Sequence, residues 1–482
     1  MTGGGAVRLS DLGDLADALT SWPRPGAGGE RLARVRIADA CVAYLATAAS
    51  ARQSGLLPQR ALPAGVGWGA GENHRTFGRN RVGDQPGTSR TGRAQPADVA
   101  SAVASRIRYS EIDDILLEPC VTPGSVVVPA LLAAAAIRPE ARPAELAAAA
   151  GAGYATLALC GGLLGGAESV ARGEWPTRAA AAIGTAATVS VALGLDAAAC
   201  RQSLALAAGL AWHGKAPEPA REIVFGWAVE TGVRCALLAA GGGAGDPAAL
   251  RRWPAGREPA STALTLDPDA IAAARIKPLC SARQVLPAIT CLLAIADARG
   301  ARHAGHAGHG GPLEITGVDV WLSRPCRAFG DRPRVATRLD SIASIQYQAA
   351  AAVWAPAVLW DVTRDELSLL AQSESMAALL RLHEDPSLTR EYPARWPARV
   401  TVTTRQGSYT RDDADSGETA ADPLTAVRDK AARLFPAGGA ARRASDAAIA
   451  RSLTFGDAAG LTAILGSIDA ADTDEGKEAH AS

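Results

Sequence analysis

Three carboxylates lie close together in the first third of the chain, at Glu111, Asp113 and Asp114. A Pro123–Gly124 pair follows, and the apolar run after it predicts a helix with Ser125 as its N-cap. Carboxylates in such a place can act as general bases, orient a cation or cap the helix. The unpaired N–H groups of the helix start also suit an anionic ligand. Taken alone, the motif favours a solvated acidic turn between two packed helices.

Histidine supplies a second kind of candidate chemistry, because His303, His306 and His309 recur at steps of three residues. This spacing would place two imidazoles on one face of a helix, as a metal site requires. The intervening Ala–Gly pairs disfavour a helix, however. The sequence therefore favours a low-complexity linker here, and we predict neither a metal nor an organic cofactor.

The composition is typical of a large helical protein with a neutral surface. Of the 482 residues, 48% are hydrophobic but only 4% are aromatic, so alanine, leucine and valine must fill the core. Lys plus Arg and Asp plus Glu each number 49, which indicates neither a nucleic-acid nor a membrane partner. The N-terminus does not resemble a signal peptide, and glycines interrupt the most apolar run, 146–165. We expect a cytoplasmic protein.

Eight cysteines are scattered along the chain, and none forms a Cys-x-x-Cys pair. This excludes the common zinc and dithiol motifs. Most of the cysteines lie in apolar helical segments, where cysteine behaves as a small buried residue. The pattern is typical of a reducing compartment.

Apolar periodicity predicts many helices, with strands only in the C-terminal half. Residues 51–95 have no periodicity and are interpreted as a long loop. The predicted helices cover 8–20, 30–50, 96–110, 125–137, 143–165, 177–194, 196–210, 225–241, 246–252, 266–276, 283–298, 343–370 and 424–467. The predicted strands cover 313–322 and a hairpin at 398–411, around a turn at Gln406–Gly407.

This order of elements predicts a mainly α protein with a large all-helical domain and a smaller inserted α/β lid domain. We expect residues 1–270 and 421–482, from the two ends of the chain, to form the helical domain. Residues 271–420 then form the lid domain, because the predicted strands all fall between these limits.

Six segments, taken in order, resemble the MmgE/PrpD family, which includes 2-methylcitrate dehydratase, cis-aconitate decarboxylase and iminodisuccinate epimerase. They are EIDDILLEPCVTPGSVVVPALLA (111–133), GEWPTRAAAAIGTAATVSVALGLD (173–196), REIVFGWAVETGV (221–233), IKPLCSAR (276–283), ASIQYQAAAAV (343–353) and VTVTTRQGSYTRDDADSGETAADPL (400–424). Each motif alone is weak, but six in the family's order are specific. The resemblance implies a helical domain with a small α/β lid, and a homodimer.

The resemblance also carries candidate site residues over to this chain. The family's acidic positions fall on Glu111 and Asp114, its lid lysine on Lys277 and its lid tyrosine on Tyr347. These four are candidate catalytic residues. The candidate substrate-binding residues are Arg221, Arg283, Thr122, Trp175 and Ser281.

Histidine is missing from each position where the family uses it for proton transfer. Thr122 stands before the Pro–Gly pair, Trp175 stands in the second motif, and Val224 stands in the motif that begins at Arg221. The lid turn lacks its histidine as well. His213, in a loop before Arg221, is the candidate replacement acid or base, because imidazole titrates near neutrality.

The family's reactions begin next to a carboxylate, where a proton or carbon dioxide leaves and an enolate-like charge builds up. The two arginines suit the anchoring of a carboxylate. Lys277 can stabilise the enolate or, when desolvated, act as the base, and Tyr347 can return a proton. Glu111 or Asp114 is either the base or the partner that orients a cation.

Three functions stay open on this basis. We favour an enzyme with altered chemistry, of lyase, isomerase or cyclase type, acting on a small carboxylate or carbonyl metabolite of secondary metabolism. The alternatives are a conventional dehydratase or decarboxylase of a citrate- or aconitate-like acid, and a non-catalytic homodimer that binds a metabolite. The apolar Trp175 favours a substrate that is less densely charged than citrate.

Overall fold

The computed structural model describes residues 7–53, 95–211, 220–253, 264–298, 314–364, 368–413 and 422–464. This part of the chain is mainly α-helical with a small mixed sheet, which confirms the predicted fold class. Most of the predicted loop 51–95 lies outside the described residues, as do His213 and the three histidines of residues 303–309.

The first part of the chain forms a helical body. A short antiparallel pair, β1 (Val7–Arg8) with β2 (Thr265–Leu266), joins its two ends. Small side chains let the helices approach closely: a Cβ atom on Gly232 would lie 2.5 Å from the Ala182 carbonyl oxygen, so only glycine fits there. The helices are α1 (Leu15–Thr20), α2 (Ala27–Gln53), α3 (Pro96–Ser110), α4 (Gly124–Ile137), α5 (Pro143–Leu163), α6 (Gly166–Ser169), α7 (Pro176–Leu193), α8 (Ala197–Leu210), α9 (Arg221–Ala240), α10 (Pro247–Arg252) and α11 (Ala270–Ala273).

The α/β region that we predicted to form a lid, and for which we keep the name lid, is built around a four-stranded sheet of order β4-β3-β5-β6. β3 runs parallel to β4 and antiparallel to β5, and β5 and β6 form the predicted hairpin. The elements are α12 (Leu286–Ala298), β3 (Ile315–Leu322), α13 (Arg324–Gly330), α14 (Arg338–Ala343), α15 (Ile345–Trp354), α16 (Leu370–Leu379), β4 (Leu380–Glu384), α17 (Pro386–Glu391), β5 (Ala398–Thr404) and β6 (Gly407–Asp413).

Two predictions about secondary structure here were wrong. The helix expected over 343–370 ends at Trp354, because Pro356 cannot continue it. The helix expected over 266–276 is reduced to Ala270–Ala273, between β2 and an extended stretch. The strand β4 was not predicted, since it follows α16 directly without a turn residue.

The C-terminal helices α18 (Pro423–Leu434) and α19 (Ala440–Thr454) return to the body and pack on α2. One hydrophobic core joins these helices to the N-terminal ones, and a second core lies in the lid around its sheet, α12 and α15. The boundaries at 270 and 420 stay predictions. All eight cysteines are described, and all are buried, as expected.

Helices α5 and α9 are long and apolar enough to cross a membrane, by length and composition alone. α5 is mostly buried and packs against α7, as expected for a core helix. α9 packs against α3, α7 and α8, yet less than half of its apolar stretch is buried.

Candidate active site

The acidic residues lie in a turn between α3 and α4. α3 ends where Glu111 adopts a left-handed backbone conformation, with φ of 56°, which reverses the chain. The reversal returns Glu111 and Asp113 to Arg108 in the last turn of α3. The Arg108 guanidinium donates hydrogen bonds to both carboxylates, and all three side chains are buried.

A second segment brings Lys277 to the same carboxylates. After α11 the chain is extended, and Arg275 and Ile115 exchange backbone hydrogen bonds of 2.9 and 2.7 Å. Two residues later, Lys277 Nζ lies 3.5 Å from Glu111 Oε2 and 3.7 Å from Asp113 Oδ1. The lysine side chain is only 3% exposed, so its ammonium depends on these carboxylates for compensation of its charge.

A third element, the start of α9, completes the group. Arg221 Nη1 donates to Glu111 Oε1 at 2.9 Å and to Glu222 Oε1 at 2.7 Å. The guanidinium lies 4.1 Å from the ring centroid of Trp175, which itself stacks on Phe225. Because the face of an indole attracts a cation, this stack fixes the position of Arg221.

We call these charged residues the front cluster: Arg108, Glu111, Asp113, Arg221, Glu222 and Lys277. Burial by itself raises the pKa of Glu111, but the three neighbouring cations outweigh it and hold that pKa well below its usual range. Burial lowers the pKa of Lys277, although Asp113 and Glu111 oppose the shift. Glu111 therefore stays an anion, and Lys277 is the group moved towards neutrality.

Asp114 belongs to a different set of contacts. Its Oδ1 accepts the Gly124 N–H at 2.7 Å, and its Oδ2 accepts the Tyr154 hydroxyl at 2.6 Å. Arg36 Nε lies 3.9 Å from the same carboxylate. Burial raises the pKa of Asp114 to about 6. Asp114 therefore caps the start of α4. Helix capping and the orientation of a cation were the two structural roles that the sequence left open for this residue.

Next to Asp114 lies a second buried ion pair, between Asp39 of α2 and Lys430 of α18. The charge of Arg36 acts on both aspartates. We call the following residues the rear cluster: Arg36, Asp39, Asp114, Tyr154 and Lys430. All of them are buried.

Hydroxyl groups surround Thr122, at the position where the family resemblance implies a histidine. Thr122 Oγ1 lies 3.2 Å from Ser125 Oγ and 3.5 Å from Thr177 Oγ1, and Arg108 Nη1 donates to it at 3.4 Å. Ser125 is not the N-cap that we predicted. α4 begins one residue earlier, and the Ser125 hydroxyl donates to the Thr122 carbonyl at 2.8 Å.

The predicted lid residues lie in or beside the lid core. Tyr347 is fully buried in the first turn of α15, and the Arg364 guanidinium lies 6.0 Å from its ring centroid. Arg283 is also buried, and its charge acts on the thiol of Cys326. Ser281 Oγ donates to a neighbouring backbone carbonyl at 3.3 Å.

Five of the predicted site residues therefore meet in one place: Glu111, Thr122, Trp175, Arg221 and Lys277. Arg108, Asp113, Glu222 and Thr177 are additional residues there that sequence reasoning did not assign to the site. Arg108 carried a usable signal, because it stands three residues before Glu111, a spacing at which helical side chains meet.

A cavity of about 660 Å³ lies at the junction of body and lid. Its described lining comprises residues 116–119, the end of α5, residues 165–168 at the start of α6, residues between 264 and 275, and Pro393–Ala394. That described lining includes Arg275 but no residue of the front cluster. The bridge between Ile115 and Arg275 connects the two features.

A helical body and an α/β region, matched by the two domains of one enzyme family, support a dehydratase- or lyase-type enzyme. Residues 75–256 match the MmgE/PrpD N-terminal domain, and residues 280–453 match the MmgE/PrpD C-terminal domain. The chain belongs to the MmgE/PrpD family, as the six motifs predicted. No curated protein matches the chain.

Proposed function

We propose that this protein is a cofactor-independent lyase or isomerase that moves a proton next to the carboxylate or carbonyl group of a small metabolite. The observation that carries the proposal is Lys277, buried and within 3.7 Å of two carboxylates. Burial favours the neutral amine, which can take a proton from carbon. The ammonium so formed then lies next to the enolate charge that the same step creates.

The charge balance of the front cluster supports a substrate with one anionic or carbonyl group rather than a citrate-like acid. Three cations already have three protein carboxylates as partners, which leaves little positive charge for a polyanion. Among the described residues, both ion pairs of Arg221 use Nη1, so Nη2 remains for one ligand oxygen. Trp175 and Phe225 provide an apolar surface beside it. A role in secondary metabolism and a cytoplasmic location stay predictions.

Proton exchange in deuterated water tests the proposed reaction. The protein is incubated with a panel of monocarboxylic, dicarboxylic and carbonyl compounds, and proton NMR follows the signal of the carbon-bound proton. We expect exchange with a compound that has one carboxylate, loss of exchange in Lys277→Met, and retention in Arg234→Met, an exposed position on α9. Binding of a panel compound without any exchange would favour the non-catalytic alternative.

We also propose that two copies of the chain associate through α9. Trp227 and Leu238 are 57% and 55% exposed and lie three helical turns apart, on the same face. Exposed apolar side chains of this size mark contact surfaces, and a two-fold dimer brings the same face of each copy together. Light scattering after size exclusion should give the mass of a dimer for the wild type and of a monomer for Trp227→Glu. A monomeric wild type would exclude the dimer.

A further inference from the structure

Lysine is rare in this chain, and both described lysines are buried at the acidic turn. The sequence has only four, Lys215, Lys277, Lys430 and Lys477, among its 49 basic residues. Lys277 contacts the turn through the side chains of its acids, and Lys430 contacts it through the backbone.

The contact of Lys430 falls at the centre of the turn. Its Nζ donates to the Ile112 carbonyl at 2.8 Å and forms an ion pair with Asp39. The Lys430 side chain is fully buried. Ile112 stands between Glu111 and Asp113, the two acids nearest to Lys277. The carbonyl that Lys430 holds thus belongs to the peptide unit linking Ile112 to Asp113, next to both acids.

The backbone conformation of this part of the turn depends on the residues that surround it. Glu111 is in the left-handed conformation, which a residue with a side chain adopts only when its surroundings hold it there. The next residue, Ile112, is fully buried. Lys430 supplies a charged donor to a carbonyl in this buried stretch, and such a bond is stronger than one between neutral groups.

We propose that Lys430 is a positioning residue, whose bond to the Ile112 carbonyl sets the places of Glu111 and Asp113 around Lys277. The consequence for catalysis rests on the proposed function, whereas the effect on Lys277 does not. The ionisable groups that act on Lys277 are Asp113, Glu111, Arg108 and the Cys280 thiol, together with the Cys120 thiol, and Lys430 reaches it through the first two.

Two double variants isolate the donor from the charge. Asp39→Asn with Lys430→Met removes one charge of each sign and also the donor to Ile112. Asp39→Asn with Lys430→Gln removes the same charges but keeps an N–H donor. Long-range electrostatic effects on Lys277 are therefore matched between the two double variants. The two variants differ in the hydrogen bond to the Ile112 carbonyl.

The readout is the titration of Lys277, followed by NMR in protein labelled at lysine Cε and assigned by the signal that Lys277→Met removes. We expect the Lys277 pKa to fall by about one unit in the methionine variant, because its carboxylates move away, and to stay near the wild-type value in the glutamine variant. Equal titration of Lys277 in the wild type and the methionine variant would overturn the proposal.

If the methionine variant does not fold, the Lys277 pKa in the glutamine variant tests the proposal by itself. A Lys277 pKa displaced there, in spite of the donor, would count against positioning by this bond. Failure of the proposed function would appear in a different measurement, because Lys277→Met would then leave proton exchange unchanged. The titration of Lys277 in the double variants would still test the role of Lys430.

Discussion

Glu111 of the front cluster and Asp114 of the rear cluster stand three residues apart in one turn, and both are buried. Their pKa values nevertheless move in opposite directions. That of Glu111 is held well below its usual range, and that of Asp114 is raised to about 6. Two acids of one short motif thus have different charges under mildly acidic conditions.

The difference comes from the partners of each carboxylate. Glu111 has three cations, with Arg221 at 2.9 Å and Lys277 at 3.5 Å, and these outweigh the cost of burial. Asp114 accepts its hydrogen bonds from an amide and a phenol. The Arg36 guanidinium is 3.9 Å away, and the charge of Asp39 opposes ionisation further. The front cluster therefore holds a carboxylate that stays ionised, and the rear cluster stabilises the turn that carries it.

The largest effect on activity is expected from Lys277→Met in the front cluster. Removal of the group that transfers the proton should lower the exchange rate by at least ~100-fold. Asp114→Asn, in the rear cluster, should keep most of the activity. Equal losses in the two variants would remove the functional distinction between the clusters.

The largest effect on stability is expected from Arg108→Met. It leaves two carboxylates buried with less compensation, which should lower the free energy of unfolding by about 3–5 kcal/mol. Urea denaturation measures the change. Adding Glu111→Gln should recover part of the loss, and the absence of any recovery would show that Arg108 acts through packing rather than charge.

Asp114→Asn should change the pH dependence of stability. The folded carboxyl has a pKa of about 6, against 3.8 as its ordinary value, so protonation favours the folded state, and this contribution is lost as the pH rises through about 6. Asparagine cannot ionise. The variant should therefore gain roughly 3 kcal/mol over the wild type between about pH 4 and pH 7, and a constant difference across that range would contradict the raised pKa.

The smallest effect is expected from Arg221→Met, at the half-buried edge of the front cluster. Loss of one carboxylate contact should raise KM by about tenfold, equivalent to ~1.4 kcal/mol, with a smaller change in kcat. Arg234→Met, thirteen residues along the same helix, is the matched control and should leave both constants unchanged. A fall in kcat alone would instead indicate that Arg221 acts on the transition state.

Much of the fold could be predicted from local patterns. The helices α3, α4, α5, α7 and α8 and the β5–β6 hairpin lie within a few residues of their predicted limits, because periodicity and Pro or Gly breaks fix them locally. The helix predicted over 343–370 failed at Pro356. The strand β4 was not predicted, because its formation depends on pairing with β3, over sixty residues away in the sequence.

The candidate site could be predicted only in part. The family motifs led to Glu111, Thr122, Trp175, Arg221 and Lys277, which do meet. They did not show that Arg108 neutralises the acids or that Trp175 stacks on Arg221, because these contacts depend on a left-handed residue and on the docking of α7 against α9. Asp114 lies in the rear cluster instead, whereas Tyr347 lies beside Arg364 and the charge of Arg283 acts on the Cys326 thiol.

The sequence by itself determined the family, the mainly α fold and the residue types available for chemistry, because these depend on motif order, periodicity and composition. Only the tertiary structure decided that Glu111 has three cations as partners whereas Asp114 has one guanidinium, 3.9 Å away. That outcome depends on separations of a few ångströms between segments more than a hundred residues apart, such as Lys277 and Glu111 or Lys430 and Ile112. In a buried site, those separations set the charge of each group.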